Sequence, residues 1–144
     1  MKTILFLCTG NYYRSRFAEI FFNKITAERG INWRADSRGL NVPLGIGNVG
    51  PISPYALEGL LARGITGIAL RNPVQVTEND LKVADSVIAL QAEEHRPYIQ
   101  ESYERFEHAV EYWHVPDLDK MQSREALGHI EQNIRTLIDT LQSS

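Results

Sequence analysis

Residues 4–15 read Ile4-Leu5-Phe6-Leu7-Cys8-Thr9-Gly10-Asn11-Tyr12-Tyr13-Arg14-Ser15. The consecutive apolar residues predict a strand that is buried on both faces, as in a parallel sheet. This strand ends at Cys8, the only cysteine of the chain, and a helix is expected to begin at Arg14. A short turn between them can direct its backbone N–H groups inward, and the helix points its positive end at the same place. The stretch therefore predicts a site that binds an anion.

The same stretch makes Cys8 a candidate nucleophile. The reactive form of a cysteine is the thiolate, which a helix N-terminus and a neighbouring arginine both stabilise. The planar guanidinium of Arg14 matches two oxygens of a phosphate, and Gly10 and Asn11 suit the turn because they tolerate a positive φ. Ser15 is placed to donate a hydrogen bond to the sulfur. The alternative is a buried structural cysteine at the end of a core strand, which is what most free cysteines are.

Cys8 to Ser15, followed by Ala18-Glu19, resembles the active-site loop of the low-molecular-weight protein tyrosine phosphatases, a family that also includes related arsenate reductases. Four further segments occur in the order of that family: Asp36-Ser37-Arg38-Gly39, Gly47-Asn48-Val49-Gly50, Ala84-Asp85-Ser86-Val87-Ile88-Ala89-Leu90 and Val115-Pro116-Asp117. The resemblance covers nearly the whole chain. It implies a phosphomonoester hydrolase of the protein-tyrosine-phosphatase type that works through a phosphocysteine intermediate.

The resemblance also implies roles for the loop residues. Cys8 is the expected nucleophile, Asn11 is expected to fix the loop, and Ser15 is expected to assist the thiolate. The phosphate-binding set is expected to be Thr9, Gly10, Asn11, Tyr12, Tyr13, Arg14 and Ser15.

Hydrolysis of a phosphate ester also needs an acid that protonates the leaving oxygen and later deprotonates the attacking water. In the family this acid is an aspartate in a loop after the last strand. Here Val115-Pro116-Asp117 matches the family pattern, and the chain then departs from it at Leu118-Asp119. Asp117 is the expected acid and Asp119 the alternative. Without the family context, both would be ordinary loop carboxylates.

The substrate pocket departs from the family pattern. Members that prefer phosphotyrosine carry aromatic residues just before the Asn-Val-Gly segment and after the Asp-Pro pair, where this chain has Gly47 and Leu118-Asp119-Lys120. Tyr12 and Tyr13 are candidate replacements because aromatic faces can enclose a phenyl ring, although Tyr13 has the alternative of pointing into the fold. The expected substrate is a protein phosphotyrosine or a small phosphomonoester.

Two alternatives to hydrolysis stay open. Tyr13 stands where many relatives carry a second cysteine, so an arsenate reductase built on this chain would depend on an external thiol such as glutathione. The departure around Leu118 also leaves open a phosphate-binding module with weak or no turnover. Outside the loop, Arg16, Arg38 and Arg71 are candidates to add positive potential around the pocket, but a solvated surface position is expected for each.

Length and composition agree with a single domain over residues 1–144, because a chain of this size with 43% hydrophobic residues can bury one sizeable core. The net charge of −3 gives no general attraction to nucleic acid or to an anionic membrane, so neither partner is expected. No apolar stretch is long enough for a signal peptide or a membrane span, so the cytoplasm is the expected compartment. The four histidines show no metal-ligand spacing, so no metal or other cofactor is expected.

Strands alternate with helices along the chain, which predicts a doubly wound α/β fold with a parallel sheet covered on both faces. About four strands in the order 2-1-3-4 are expected. The predicted strands are 3–7, 32–37, 84–90 and 109–113, and the predicted helices are 14–29, 54–63, one opened by the capping signal at 77–80, 93–103 and 124–141. Ligands bind outside the carboxyl ends of the strands in such sheets. Cys8 and Asp117 are therefore expected at the same edge.

Overall fold

A computed structural model describes residues 1–45, 47–116 and 122–143. Its centre is a parallel sheet of four strands with the order β2-β1-β3-β4. The strands are β1 (Lys2–Cys8), β2 (Trp33–Gly39), β3 (Ser86–Ala89) and β4 (Val110–Tyr112). The predicted fold class and strand order are confirmed.

Five α-helices are found in the part of the chain that the structure describes. They are α1 (Arg14–Arg29), α2 (Pro54–Leu61), α3 (Glu78–Val83), α4 (Ala92–Ser102) and α5 (Ser123–Ser143). Helix α1 has the predicted bounds, since Gly30 ends it with a left-handed φ of 66°. Thr77 and Asp80 form the predicted capping box of α3. None of the helices within the described ranges is long and apolar enough to cross a membrane.

The continuous apolar run of β1 is explained by helices on both faces of the sheet. Ile4 and Phe6 pack in one core cluster with residues of α1, α2 and α5. Leu5 and Leu7 point to the other face and pack in a second cluster with residues of α3 and α4. Because alternate residues of a strand face opposite sides, both registers must be apolar when both sides are covered. This packing holds the end of β1, and therefore Cys8, in a fixed position.

Strand β3 (Ser86–Ala89) is shorter at both ends than the predicted strand 84–90, and at its amino end the Asp85 side chain bonds to β1. Asp85 Oδ2 accepts a hydrogen bond from the Thr3 backbone N–H at 2.8 Å, and the Asp85 N–H donates to the Thr3 carbonyl at 3.0 Å. The ladder with β1 then runs from Ser86 to Ala89. Asp85 thus closes the amino end of the sheet, at the end opposite to Cys8.

Candidate active site

Residues 8–15 connect β1 to α1 and are called the phosphate loop below. Asn11 has a φ of 50° and is the one described non-glycine residue with a positive φ. Its buried side chain donates to Ser15 Oγ and Ser37 Oγ, each at 2.9 Å. Its Oδ1 accepts from Arg71 Nη1 at 2.9 Å and from the Val74 N–H at 3.0 Å. These four hydrogen bonds hold a conformation that most residues disfavour.

Cys8 lies at the base of the phosphate loop and is 3% exposed. Its Sγ lies 2.9 Å from Ser15 Oγ. The Ser15 hydroxyl already accepts from Asn11, and a hydroxyl carries a single proton. Either atom can donate while Cys8 is a thiol, and the Ser15 hydroxyl is the donor once Cys8 is a thiolate.

The Arg14 guanidinium is held by hydrogen bonds to two residues that are distant from it in the sequence. Its Nη1 donates to the Val115 carbonyl at 2.9 Å, and its Nη2 donates to Glu94 Oε2 at 2.8 Å. Glu94 lies in the first turn of α4, and Val115 follows β4. Arg14 is 3% exposed, so its guanidinium plane has little freedom.

Glu94 joins several polar groups of the site at one oxygen. Oε2 also accepts from the Thr9 hydroxyl and lies 3.1 Å from His95 Nε2. His95 Nδ1 accepts from the Gln91 N–H at 3.0 Å, which places the ring proton on Nε2. Burial of Glu94 acts to raise its pKa, but hydrogen bonds from His95, Arg14 and Thr9 and the charge of Arg14 outweigh it and lower the pKa far below the ordinary value. Glu94 is therefore ionised.

No sequence motif predicted a role for Glu94. One signal would have found it: Glu94 lies in the first turn of the helix after β3, and the carboxyl ends of parallel strands meet at one edge. Ser37 was noticed only as part of a family segment, yet its hydroxyl accepts from Asn11 at 2.9 Å. It also donates to Glu19 Oε1 at 2.6 Å.

The prediction of a solvated surface position is wrong for Arg16, whereas the side chains of Arg38 and Arg71 are partly exposed, at 19% and 30%. Arg16 is 1% exposed, and its Nη atoms donate to the carbonyls of Pro51 and Arg71, each at 2.9 Å. The Arg71 side chain reaches Asn11 Oδ1 and Glu19 Oε1, again at 2.9 Å each. Arg16 and Arg71 thus support the phosphate loop from behind.

The two tyrosines of the loop have different surroundings. Tyr13 is buried at 6% exposure and belongs to the core, so the alternative that it points into the fold is correct. The Tyr12 hydroxyl donates to the Val49 carbonyl and links the phosphate loop to the segment before α2. Tyr12 therefore stands at the edge of the site, whereas Tyr13 forms no wall of it.

A cavity of about 400 Å³ lies beside the phosphate loop. Its lining includes Thr9 and Gly10 of the loop, Asn48 of the glycine-rich segment, and Glu94 and Tyr98 of α4. No group of acidic, histidine or cysteine side chains within the described ranges is arranged to hold a metal ion.

Asp117 and Asp119, the expected acid and its alternative, lie outside the described residues. The chain just before them is held next to the phosphate loop. The Val115 N–H donates to the Leu90 carbonyl at 2.8 Å, and the Val115 carbonyl accepts from Arg14. The identity of the acid stays a prediction.

This arrangement is the loop of a cysteine-dependent phosphatase. A sequence model of the family described as "Low molecular weight phosphotyrosine protein phosphatase" matches residues 3–144, so the chain belongs to this family. The predicted membership and the predicted class of cysteine-dependent phosphomonoester hydrolase are confirmed.

Two curated relatives come from Bacillus subtilis (strain 168). The protein named protein-arginine-phosphatase is 31% identical over 107 residues, which are 74% of this chain and 67% of that protein. The low molecular weight protein-tyrosine-phosphatase YfkJ is 38% identical over 97 residues, which are 65% of this chain and 58% of that protein.

Solved structures extend the likeness to the whole fold. The crystal structure of YfkJ superposes with a TM-score of 0.84 at 26% identity, covering 99% of this chain and 96% of that one. The low molecular weight protein tyrosine phosphatase from T. tengcongensis superposes with a TM-score of 0.80 at 28% identity, covering 97% of this chain and 99% of that one.

Proposed function

We propose that this protein dephosphorylates phosphorylated proteins through a phosphocysteine formed on Cys8. One observation carries the proposal: Cys8 Sγ lies 2.9 Å from the Ser15 hydroxyl, which can donate its single proton to a thiolate. A serine oriented in this way stabilises a thiolate both before attack and when it is released. Arg14 belongs to the same loop, and hydrogen bonds to Glu94 and Val115 hold its guanidinium in place.

In the first step the Cys8 thiolate attacks phosphorus. An S–P bond forms while the bond from phosphorus to the leaving group breaks, and Asp117 gives its proton to the leaving atom. Arg14 and the backbone N–H groups of residues 9–15 hold the phosphoryl oxygens and stabilise the charge that spreads over them.

In the second step water attacks the phosphocysteine. Asp117, now a carboxylate, takes a proton from that water, the S–P bond breaks, and inorganic phosphate leaves. The sulfur departs as a thiolate, which the Ser15 proton again stabilises. The proton balance closes, because Asp117 begins and ends the cycle protonated.

Phosphotyrosine is the first candidate substrate, because the family is described as one of phosphotyrosine protein phosphatases. A second candidate is phosphoarginine, the substrate that the name of one curated relative indicates. The observation that favours it is the ionised carboxylate of Glu94 on the wall of the cavity beside the loop. A carboxylate accepts N–H donors from a guanidinium leaving group, whereas the phenyl ring of tyrosine has no such donor. The ratio of kcat/KM on matched phosphotyrosine and phosphoarginine peptides decides between them.

Steady-state hydrolysis of p-nitrophenyl phosphate across pH tests the mechanism. We expect a bell-shaped profile in the wild type and no turnover in folded Cys8→Ser. In Asp117→Ala we expect loss of the high-pH limb, which reflects deprotonation of the general acid. Wild-type activity in Cys8→Ser would refute the nucleophile. Full activity of Asp117→Ala on every ester would refute the assignment of Asp117 as the acid and favour Asp119.

Binding of vanadate without turnover would favour a binding module, and a glutathione-coupled arsenate assay tests the reductase alternative.

A further inference from the structure

A second cavity, of about 260 Å³, lies beside α1 and the segment 65–71. It shares no lining residue with the cavity beside the phosphate loop. The charged side chains of its lining are Arg16, Arg34, Arg71 and Glu19, so three arginines face one glutamate. This excess of positive charge stands out in a chain whose net charge is −3.

The charge of Arg16 is not compensated by any described carboxylate that pairs with it. Its two Nη atoms donate to carbonyl oxygens, and its buried Nε has no hydrogen-bond partner. Burial, together with the charge of Arg71, lowers the pKa of Arg16 to about 10. Glu19, the one carboxylate of the lining, already accepts from Arg71 at 2.9 Å and from Ser37 at 2.6 Å. Burial of a cation without a paired carboxylate lowers the stability of the fold, and a nearby anion reduces this loss.

Two of the arginines are accessible to a ligand. Arg34 is exposed on β2, and the Arg71 side chain is 30% exposed. The rest of the lining includes the apolar side chains of Ile20, Ile65 and Ile68. The cavity is larger than the apolar cavity of roughly 150 Å³ that is known to hold benzene. Its size and lining therefore fit one ring with an anionic head.

We propose that this cavity binds a small organic carboxylate with a flat apolar body. The carboxylate lies against the guanidinium of Arg34, in the planar pairing that arginine favours. The Nη atoms of Arg71 already donate to protein acceptors, so Arg71 contributes positive potential at the edge of the cavity. The apolar body lies against the isoleucines, and Arg16 adds positive potential from beneath. The site lies directly behind the phosphate loop, because Arg71 also donates to Asn11 Oδ1.

Benzoate is a suitable probe, with vanadate present to occupy the phosphate loop. Titration is followed by the backbone amide signals of ¹⁵N-labelled full-length protein. We expect saturable shifts of the amides of residues 66–69. Benzamide has the same shape without the charge, and we expect it to bind at least about fivefold more weakly, which corresponds to one partly exposed ion pair.

Charge reversal at the cavity provides the second arm. Arg34→Glu is expected to weaken benzoate binding by about fivefold or more. Lys24→Glu is the matched control, since Lys24 is exposed on α1 and does not line the cavity. The proposal is overturned if shifts are confined to the phosphate loop, if benzamide binds as well as benzoate, or if the two variants weaken binding equally. Failure of vanadate to bind would count against the catalytic site alone, because residues 66–69 report benzoate binding independently.

Discussion

At the scale of single residues, Glu94 connects Arg14 to other polar groups of the site. Its Oε2 accepts from Arg14 at 2.8 Å and from the Thr9 hydroxyl. Glutamine keeps the size of the side chain but removes its charge. We expect Glu94→Gln to lower kcat/KM for p-nitrophenyl phosphate about tenfold, because Arg14 loses the charged partner that orients it. Steady-state kinetics on purified protein measures the effect.

The neighbouring glutamate supplies the control for that prediction. Glu93 is exposed, and the contact that the structure gives it is made by its backbone N–H to Gln91 Oε1. Glu93→Gln removes the same charge from the same helix and is expected to leave kcat/KM within about twofold of wild type, as for most exposed substitutions. Equal losses in the two variants would mean that helix charge, and not the contact with Arg14, is responsible.

At the scale of elements, the end of β2 packs directly against the phosphate loop. A Cβ on Gly39 would lie 2.6 Å from Val42 Cγ2, 2.9 Å from the Thr9 carbonyl oxygen and 3.1 Å from the Asn11 nitrogen. The last two are backbone atoms that cannot rotate away. We expect Gly39→Ala to displace the loop, to lower kcat/KM at least about tenfold, and to reduce the free energy of unfolding by about 1–3 kcal/mol.

Gly47→Ala is the matched control for this substitution. No described atom outside its chain neighbours lies within 4 Å of a Cβ at Gly47, and its φ is not in the left-handed region. Activity and urea unfolding of the two variants are compared side by side. If Gly39→Ala keeps wild-type kcat/KM, close packing of β2 on the loop does not determine the geometry of the site.

The elements themselves were largely predictable, for physical reasons that are local in the chain. The apolar run of β1 predicts a strand covered on both faces, and Gly30 marks the end of α1 because it takes a left-handed φ of 66°. The bounds of β3 were less accurate. Its predicted first residues include Asp85, whose carboxylate bonds to Thr3 across 82 residues of sequence. No local pattern contains that contact.

The site was predictable only where its residues lie close together in the sequence. Cys8 and Arg14 lie six residues apart, and the turn between them follows from Gly10 and Asn11. Arg71 reaches Asn11 from 60 residues away, and Glu94 reaches Arg14 from 80. Contacts of that separation depend on how the helices pack on the sheet, so residue type and spacing alone predicted neither the role of Glu94 nor the contacts of Arg71.

At the scale of the whole molecule, two ionised glutamates tie together elements that are distant in sequence. Glu94 joins α4 to the phosphate loop. Glu131 on α5 accepts from Arg63 Nε, just after α2, at 2.7 Å and from Arg135 Nε at 3.1 Å. Burial acts to raise the pKa of Glu131, but hydrogen bonds from Arg63 and Arg135 and their charges lower it below its ordinary value.

A carboxylate with a lowered pKa in the folded state stabilises the fold above the pKa of the unfolded chain, and this contribution is lost as the pH falls through the folded-state value. For Glu131 the unfolded reference is 4.5. We expect Glu131→Gln to reduce the free energy of unfolding by about 1 kcal/mol at pH 7, as for a partly buried ion pair, and by clearly less at pH 3. Urea unfolding at both pH values measures the difference.

Glu58→Gln removes an exposed carboxylate from α2 and is the control, expected to change stability by less than about 0.5 kcal/mol at either pH. Protonation of Glu131 makes wild type and Glu131→Gln electrically alike at this position, which is why their stabilities should converge in acid. A gap between them that stays constant from pH 7 to pH 3 would contradict the ionic origin of the link between α2 and α5. It would assign the loss to packing of the Glu131 side chain, which does not titrate.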